Sequence, residues 1–275
     1  MKLITSGCSF AGPTSHPPIE GESWGFQLSQ ILNLEPLDNG SGDDVSKEDG
    51  WVNLGLGGCS LDYIYRSAID QIIPNLNNDL VVVVGWTSIR RWEHFTDQWG
   101  NCQADTHPHA AYHYGAQAFW GSTLNEKKEY KQHLMNHTFF QEYMRRLNMI
   151  IGLAGLLNQH NIKYLFFPAF EPLDSWKKGT GYSDMSETGI NCPVLTKLTN
   201  YIEKNVNFLE QTQIEIGAKE EYVKNVRYGM YDGDDKSYPY TKKEYFTDDG
   251  WHPSLLGHTE WAKILYGHLN KKYGI

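Results

Sequence analysis

The chain has 275 residues, 40% of them hydrophobic and 21% charged, with a formal net charge of -9 at pH 7. That length sits at the upper end of what one hydrophobic core supports, so one elaborated domain spanning 1–275 is expected. The acidic balance, with no stripe of Lys and Arg, excludes a nucleic-acid backbone as the main partner. No window holds the long uncharged run that a membrane span needs, and the stretch Met1 to Gly7 is too short in apolar residues for a signal peptide. A cytoplasmic protein is expected, or one carried in a particle without secretion. The four cysteines, Cys8, Cys59, Cys102 and Cys192, are far apart and form no CxxC pair, which suits reduced thiols.

In chain order, Lys2 to Ser6 reads as a first strand, short and apolar before a glycine. Ser23 to Leu32 reads as a helix, Trp51 to Leu54 as a strand ending at Gly55, and Ser60 to Ile73 as a helix with Leu61, Ile64, Ala68 and Ile72 along one face. Leu80 to Val84 is a continuous β-branched run, the mark of a strand buried on both faces. Phe139 to His160 reads as a long apolar helix, Ile162 to Phe167 as a strand stopped by Pro168, and Thr259 to Leu269 as a last helix. A fifth strand is placed near Tyr222 to Tyr228. Strands alternating with helices imply an α/β, three-layer arrangement around a central parallel sheet of about five strands. Three polar or glycine-rich stretches, near 34–50, 93–130 and 172–247, read as long loop insertions.

Ligand sites in such sheets form beyond the carboxyl ends of the strands, and Ser9, Gly58 and Thr87 each fall just after an expected strand end. Near the other terminus, Asp249 precedes His252 by three residues, just ahead of the last helix. A serine hydroxyl is a poor nucleophile until a neighbouring base takes its proton. Histidine does that near neutral pH, and a carboxylate holds its tautomer and steadies the imidazolium. Ser9, His252 and Asp249 therefore form the candidate catalytic set.

The blocks that carry these residues resemble the SGNH (GDSL-type) hydrolase family. Gly7-Cys8-Ser9-Phe10 is similar to its first block, with Cys8 where the family has aspartate. Asn53-Leu54-Gly55-Leu56-Gly57-Gly58 resembles the second, and Gly85-Trp86-Thr87-Ser88 the third, with Thr87 in place of the family's asparagine. Asp249-Gly250-Trp251-His252 matches the final Asp-X-X-His pattern. The departures at Cys8 and Thr87 resemble SGNH-like proteins of phages and bacteria. The resemblance implies a flavodoxin-like fold and ester hydrolysis without cofactor or metal. It also implies a small-molecule or carbohydrate ester as substrate, an O-acetyl group among the options. The oxyanion hole would use the N–H groups of Ser9 and Gly58 and the Thr87 hydroxyl. Each preorganised donor is worth about 2.7–4 kcal/mol. Trp86, Arg90 and Trp251 flank these residues and are candidates for substrate binding. Two further readings stay open: a binding protein that keeps the fold without efficient chemistry, and an acyltransferase using the same triad.

Other motifs carry less. Gly55-Leu56-Gly57-Gly58-Cys59-Ser60 imitates a dinucleotide fingerprint but has Ser60 at its third glycine position, and no ribose-binding acid follows. Cys102, Asp105, His107, His109 and His113 are loosely spaced in an expected insertion and read as a polar loop rather than a metal site.

Overall fold

The computed structural model describes residues 1–8, 11, 23–37, 49–56, 59–76, 78–87, 92–95, 116–119, 139–169, 193–211, 243–245 and 252–275. In chain order the elements are β1 (Lys2–Ser6), α1 (Trp24–Ile31), β2 (Gly50–Asn53), α2 (Leu61–Ile72), β3 (Leu80–Trp86), β4 (Trp92–Phe95), β5 (Ala116–Phe119), α3 (Phe139–Gln159), β6 (Lys163–Pro168), α4 (Pro193–Asn205) and α5 (Leu255–Tyr273). Short 3-10 turns cover Ile73–Asn75 and Lys243–Tyr245.

An uninterrupted apolar run cannot divide itself between core and water, and β3 accordingly lies inside the sheet with every residue buried. Among the described residues the sheet has four strands in the order β2-β1-β3-β6, all parallel. Its two faces are covered separately. Leu3, Val81, Val83, Leu165 and Phe167 pack with Trp24 and Leu28 of α1 and Trp261 and Leu265 of α5. Ile4, Val52, Val82, Val84 and Phe166 pack with Ile64 of α2, Leu147 and Ile150 of α3, and Ile202 of α4. Chain order reverses direction between β2 and β3, which puts α1 and α2 on opposite faces as right-handed crossovers require.

Three serines start three helices. The side-chain oxygens of Ser23, Ser60 and Ser254 accept the N–H groups of Phe26, Tyr63 and Gly257. Helix α5 ends at Gly274, whose φ of 67° is the left-handed conformation that glycine adopts without a Cβ clash. These caps make α5 longer at both ends than the apolar stripe of Thr259 to Leu269 indicated.

The outer parts of the sheet add to the sequence reading. The stretch expected near Tyr222 to Tyr228 lies outside the described residues. Among the described residues, a parallel bridge flanks β6: Phe166 N–H donates to Asn207 C=O at 2.9 Å, and Leu209 N–H donates to Phe166 C=O at 2.8 Å. Helix α4 stands inside the 172–247 stretch, burying Leu195, Thr199 and Ile202 at helical spacing. Within the 93–130 stretch, β4 and β5 pair antiparallel.

Candidate active site

Three exits from the sheet and one helix start share its carboxyl edge. Tyr273, in the last turn of α5, donates its hydroxyl to Tyr164 C=O near the start of β6, at 3.1 Å. Trp261, near the other end of α5, packs edge-on to Phe167 near the end of β6, ring centroids 5.1 Å apart. Helix α5 therefore runs antiparallel to the strands. Its first turn, with His252 just ahead of it in the chain, lies toward the carboxyl edge of the sheet, where β1 leads into Gly7-Cys8 and β3 into Thr87.

The exit of β1 is tight. Ala11 N–H donates to Cys8 C=O at 2.7 Å. A β-carbon on Gly7 would stand 2.8 Å from Ala11 Cβ and 3.2 Å from the Gly85 carbonyl oxygen. Gly85 itself faces the Phe167 ring, whose carbons would lie 2.8 and 2.9 Å from an added β-carbon. The glycines that open the first and third blocks are thus required by the close passage of β1, β3 and β6. Gly7→Ala is expected to cost about 1–3 kcal/mol, because Ala11 is held by its own backbone bond and cannot swing away. A thermal melt matching that of the parent would remove this packing argument.

The exit of β2 is tied to that of β1. Leu56 N–H and the Cys59 thiol both donate to Gly7 C=O, at 3.1 and 3.3 Å. Cys8 and Cys59 are buried thiols outside any disulfide, in the core cluster on the α2 face. Asn53, at the end of β2, adds bonds to both loops that the sequence reading had not singled out.

Of the sequence-predicted site residues, Thr87, His252 and Trp86 are described. Thr87 is completely buried, and its hydroxyl has no hydrogen-bond partner among the described residues. His252 is half-buried between the 3-10 turn Lys243–Tyr245 and α5. That loop is pinned at its base: Ser254 N–H donates to Tyr245 C=O at 2.9 Å, and the Ser254 hydroxyl donates to Glu244 C=O. Trp86 packs in the core: it follows Val82 and Val84 on one sheet face, is wholly buried, and lies edge-on to Phe166 at 5.7 Å. Ser9, Gly58, Asp249, Arg90 and Trp251 lie outside the described residues, as do Cys102, Asp105, His107, His109 and His113.

Among the described residues, the groups whose titration the fold shifts lie at the opposite, amino edge. The Asp79 carboxyl, just ahead of β3, is held below its usual range by a hydrogen bond from Lys163. Burial raises the Tyr164 phenol at the start of β6 and lowers the Lys272 ammonium at the end of α5. Local ion pairing and desolvation account for all three, so none marks a second reactive centre.

No family model matches the chain, and no curated protein matches it. The chain is similar to several solved structures. One is a GDSL-like lipase from Bacteroides thetaiotaomicron, at 11% identity, 98% of this chain, 88% of that one and a TM-score of 0.43. Another is an acetyl xylan esterase from Geobacillus stearothermophilus, at 14% identity, 98% and 94% coverage and a TM-score of 0.41. A third is TesA, at 10% identity, 98% and 99% coverage and a TM-score of 0.46.

Proposed function

We propose that the chain is an SGNH-type serine hydrolase that cleaves a carboxylic ester by acyl transfer to water. The observation that carries this reading is the orientation of α5, which puts its start at the same sheet edge as the Gly7-Cys8 exit and the Thr87 exit, in the order of the family's blocks. In the sequence Ser9 follows Cys8 directly, and Asp249 precedes His252 by three residues. Ser9 Oγ would bond to the ester carbonyl carbon as its proton passes to His252, whose imidazolium Asp249 steadies. The negative oxygen that forms would be held by the N–H groups of Ser9 and Gly58. The Thr87 hydroxyl, buried and without a partner among the described residues, is free to donate to the same oxygen. Collapse would expel the alcohol with the proton from His252, and water would repeat the sequence on the acyl-enzyme.

The substrate class is a small-molecule or carbohydrate ester. An O-acetyl group on a sugar fits, and Arg90 and Trp251 are the residues proposed to face the alcohol. The test compares the parent with Ser9→Ala, using p-nitrophenyl acetate and a fluorophosphonate probe. Expected are turnover and labelling at Ser9 in the parent and neither in the variant. A parent that neither turns over the ester nor takes the label is a binding protein on this fold. Release that accelerates when sugar acceptors are added points to acyl transfer instead of hydrolysis.

A further inference from the structure

We infer that Asn53 is the positioning residue that sets the separation between the loops carrying Ser9 and Gly58. The inference rests on the hydrolase reading, because those loops supply its two backbone oxyanion donors. Asn53 is the last residue of β2 and stands opposite Thr5 of β1 in the parallel register. Its Nδ2 donates to Ala11 C=O at 3.1 Å, three residues after Cys8. Its Oδ1 accepts from Gly55 N–H at 2.9 Å and from the Thr5 hydroxyl at 3.2 Å. The Thr5 oxygen in turn accepts the Trp51 indole N–H at 2.8 Å. One amide therefore holds the far side of the turn after β1 and the near side of the loop after β2.

The orientation of that amide follows from its neighbours. A backbone carbonyl only accepts and a backbone N–H only donates, so Nδ2 must face Ala11 and Oδ1 must face Gly55. No other side chain of this length does both. Aspartate would set a carboxylate oxygen against the Ala11 carbonyl, and leucine would leave Gly55 N–H and Ala11 C=O without this partner. The opposite side of the same two loops is already tied through Gly7 C=O to Leu56 and Cys59. Asn53 closes the remaining side. Because Thr5 is buried and Asn53 partly so, these bonds compete little with water. Misplacing a donor by about 1 Å is enough to cost on the order of a hundredfold in rate.

The experiment measures kcat and KM for p-nitrophenyl acetate in the parent, Asn53→Ala, Asn53→Asp and a packing control, Ile150→Val, buried in α3. All are assayed well below their melting temperatures. Expected is a drop of about a hundredfold in kcat for Asn53→Ala and Asn53→Asp, with KM within about threefold and the control near the parent. Asn53 variants that keep kcat within about threefold overturn the inference. So does a loss that the control shares. Amide hydrogen exchange keeps the bridge testable if the parent cleaves no ester. In that case Asn53→Ala should speed exchange at Leu56 and Cys59 at least tenfold while β3 stays protected, and unchanged exchange there overturns the bridge.

Discussion

His252→Ala is expected to lower kcat for p-nitrophenyl acetate by about a thousandfold or more, with little change in thermal stability. General acid-base transfer by a positioned side chain contributes about 10²–10⁴. This histidine would act twice, taking the proton from Ser9 and giving it to the leaving alcohol. His252 is half-buried and lies ahead of the Ser254 cap, and the loop that carries it is held by the backbone of Tyr245 and Glu244. Paired steady-state kinetics and melting curves check the two halves of this prediction together. Turnover within tenfold of the parent would take His252 out of the reaction, whatever the melting curve did.

Gly257→Ala should act in the opposite way, through the fold first and the site second. A β-carbon at Gly257 would stand 2.2 Å from the carbonyl oxygen of Tyr245 and 3.3 Å from Pro253 Cβ. The clashing atom is backbone, so no rotamer change relieves it. Either the first turn of α5 or the 3-10 turn must move, and both frame the His252 loop. An overpacked site of this kind costs about 3 kcal/mol, which for a chain of this size corresponds to a fall in Tm of roughly 6–12 °C. Ester turnover should fall with it even at temperatures where the variant remains folded. Gly267→Ala, ten residues further along α5, is the matched comparison: nothing lies within 4 Å of its added β-carbon. There the ordinary helix preference operates alone, and a gain of about 0.5–1 kcal/mol is expected. If both alanines behave alike in the melt, the close contact at Tyr245 is not what Gly257 is for.

How much of this was legible in the residues differs from element to element. The valine run gave β3 and its burial at once, because five apolar residues in a row have no polar face to offer water. Helix starts were equally legible at Ser23 and Ser60, where a serine precedes an amphipathic stretch. Helix α4 went unread although Leu195, Thr199, Ile202 and Val206 recur at helical spacing, because the surrounding stretch is polar and its edges carry glycine and proline. For Trp86 the residues alone left core packing and a wall of the cleft equally open, because proximity in sequence to Thr87 says nothing about which face of β3 its side chain takes. Asn53 was visible as part of a block, yet its role depends on Thr5 and Ala11, which only the β1–β2 register brings beside it.

The amino-acid order by itself determined the α/β class, the parallel character of the sheet and the candidate residues Ser9, Gly58, Thr87, Asp249 and His252. These follow from local properties: hydrophobic period, glycine and proline punctuation, and the chemistry of side chains a few positions apart. Only the tertiary structure decided that α5 runs antiparallel to β6, so that the start of α5 lies at the carboxyl edge of the sheet. It likewise decided that Gly7, Gly85 and Gly257 are glycines because another chain segment passes within contact of each. Both are consequences of distance in space between residues far apart along the chain, a quantity that composition and spacing do not contain.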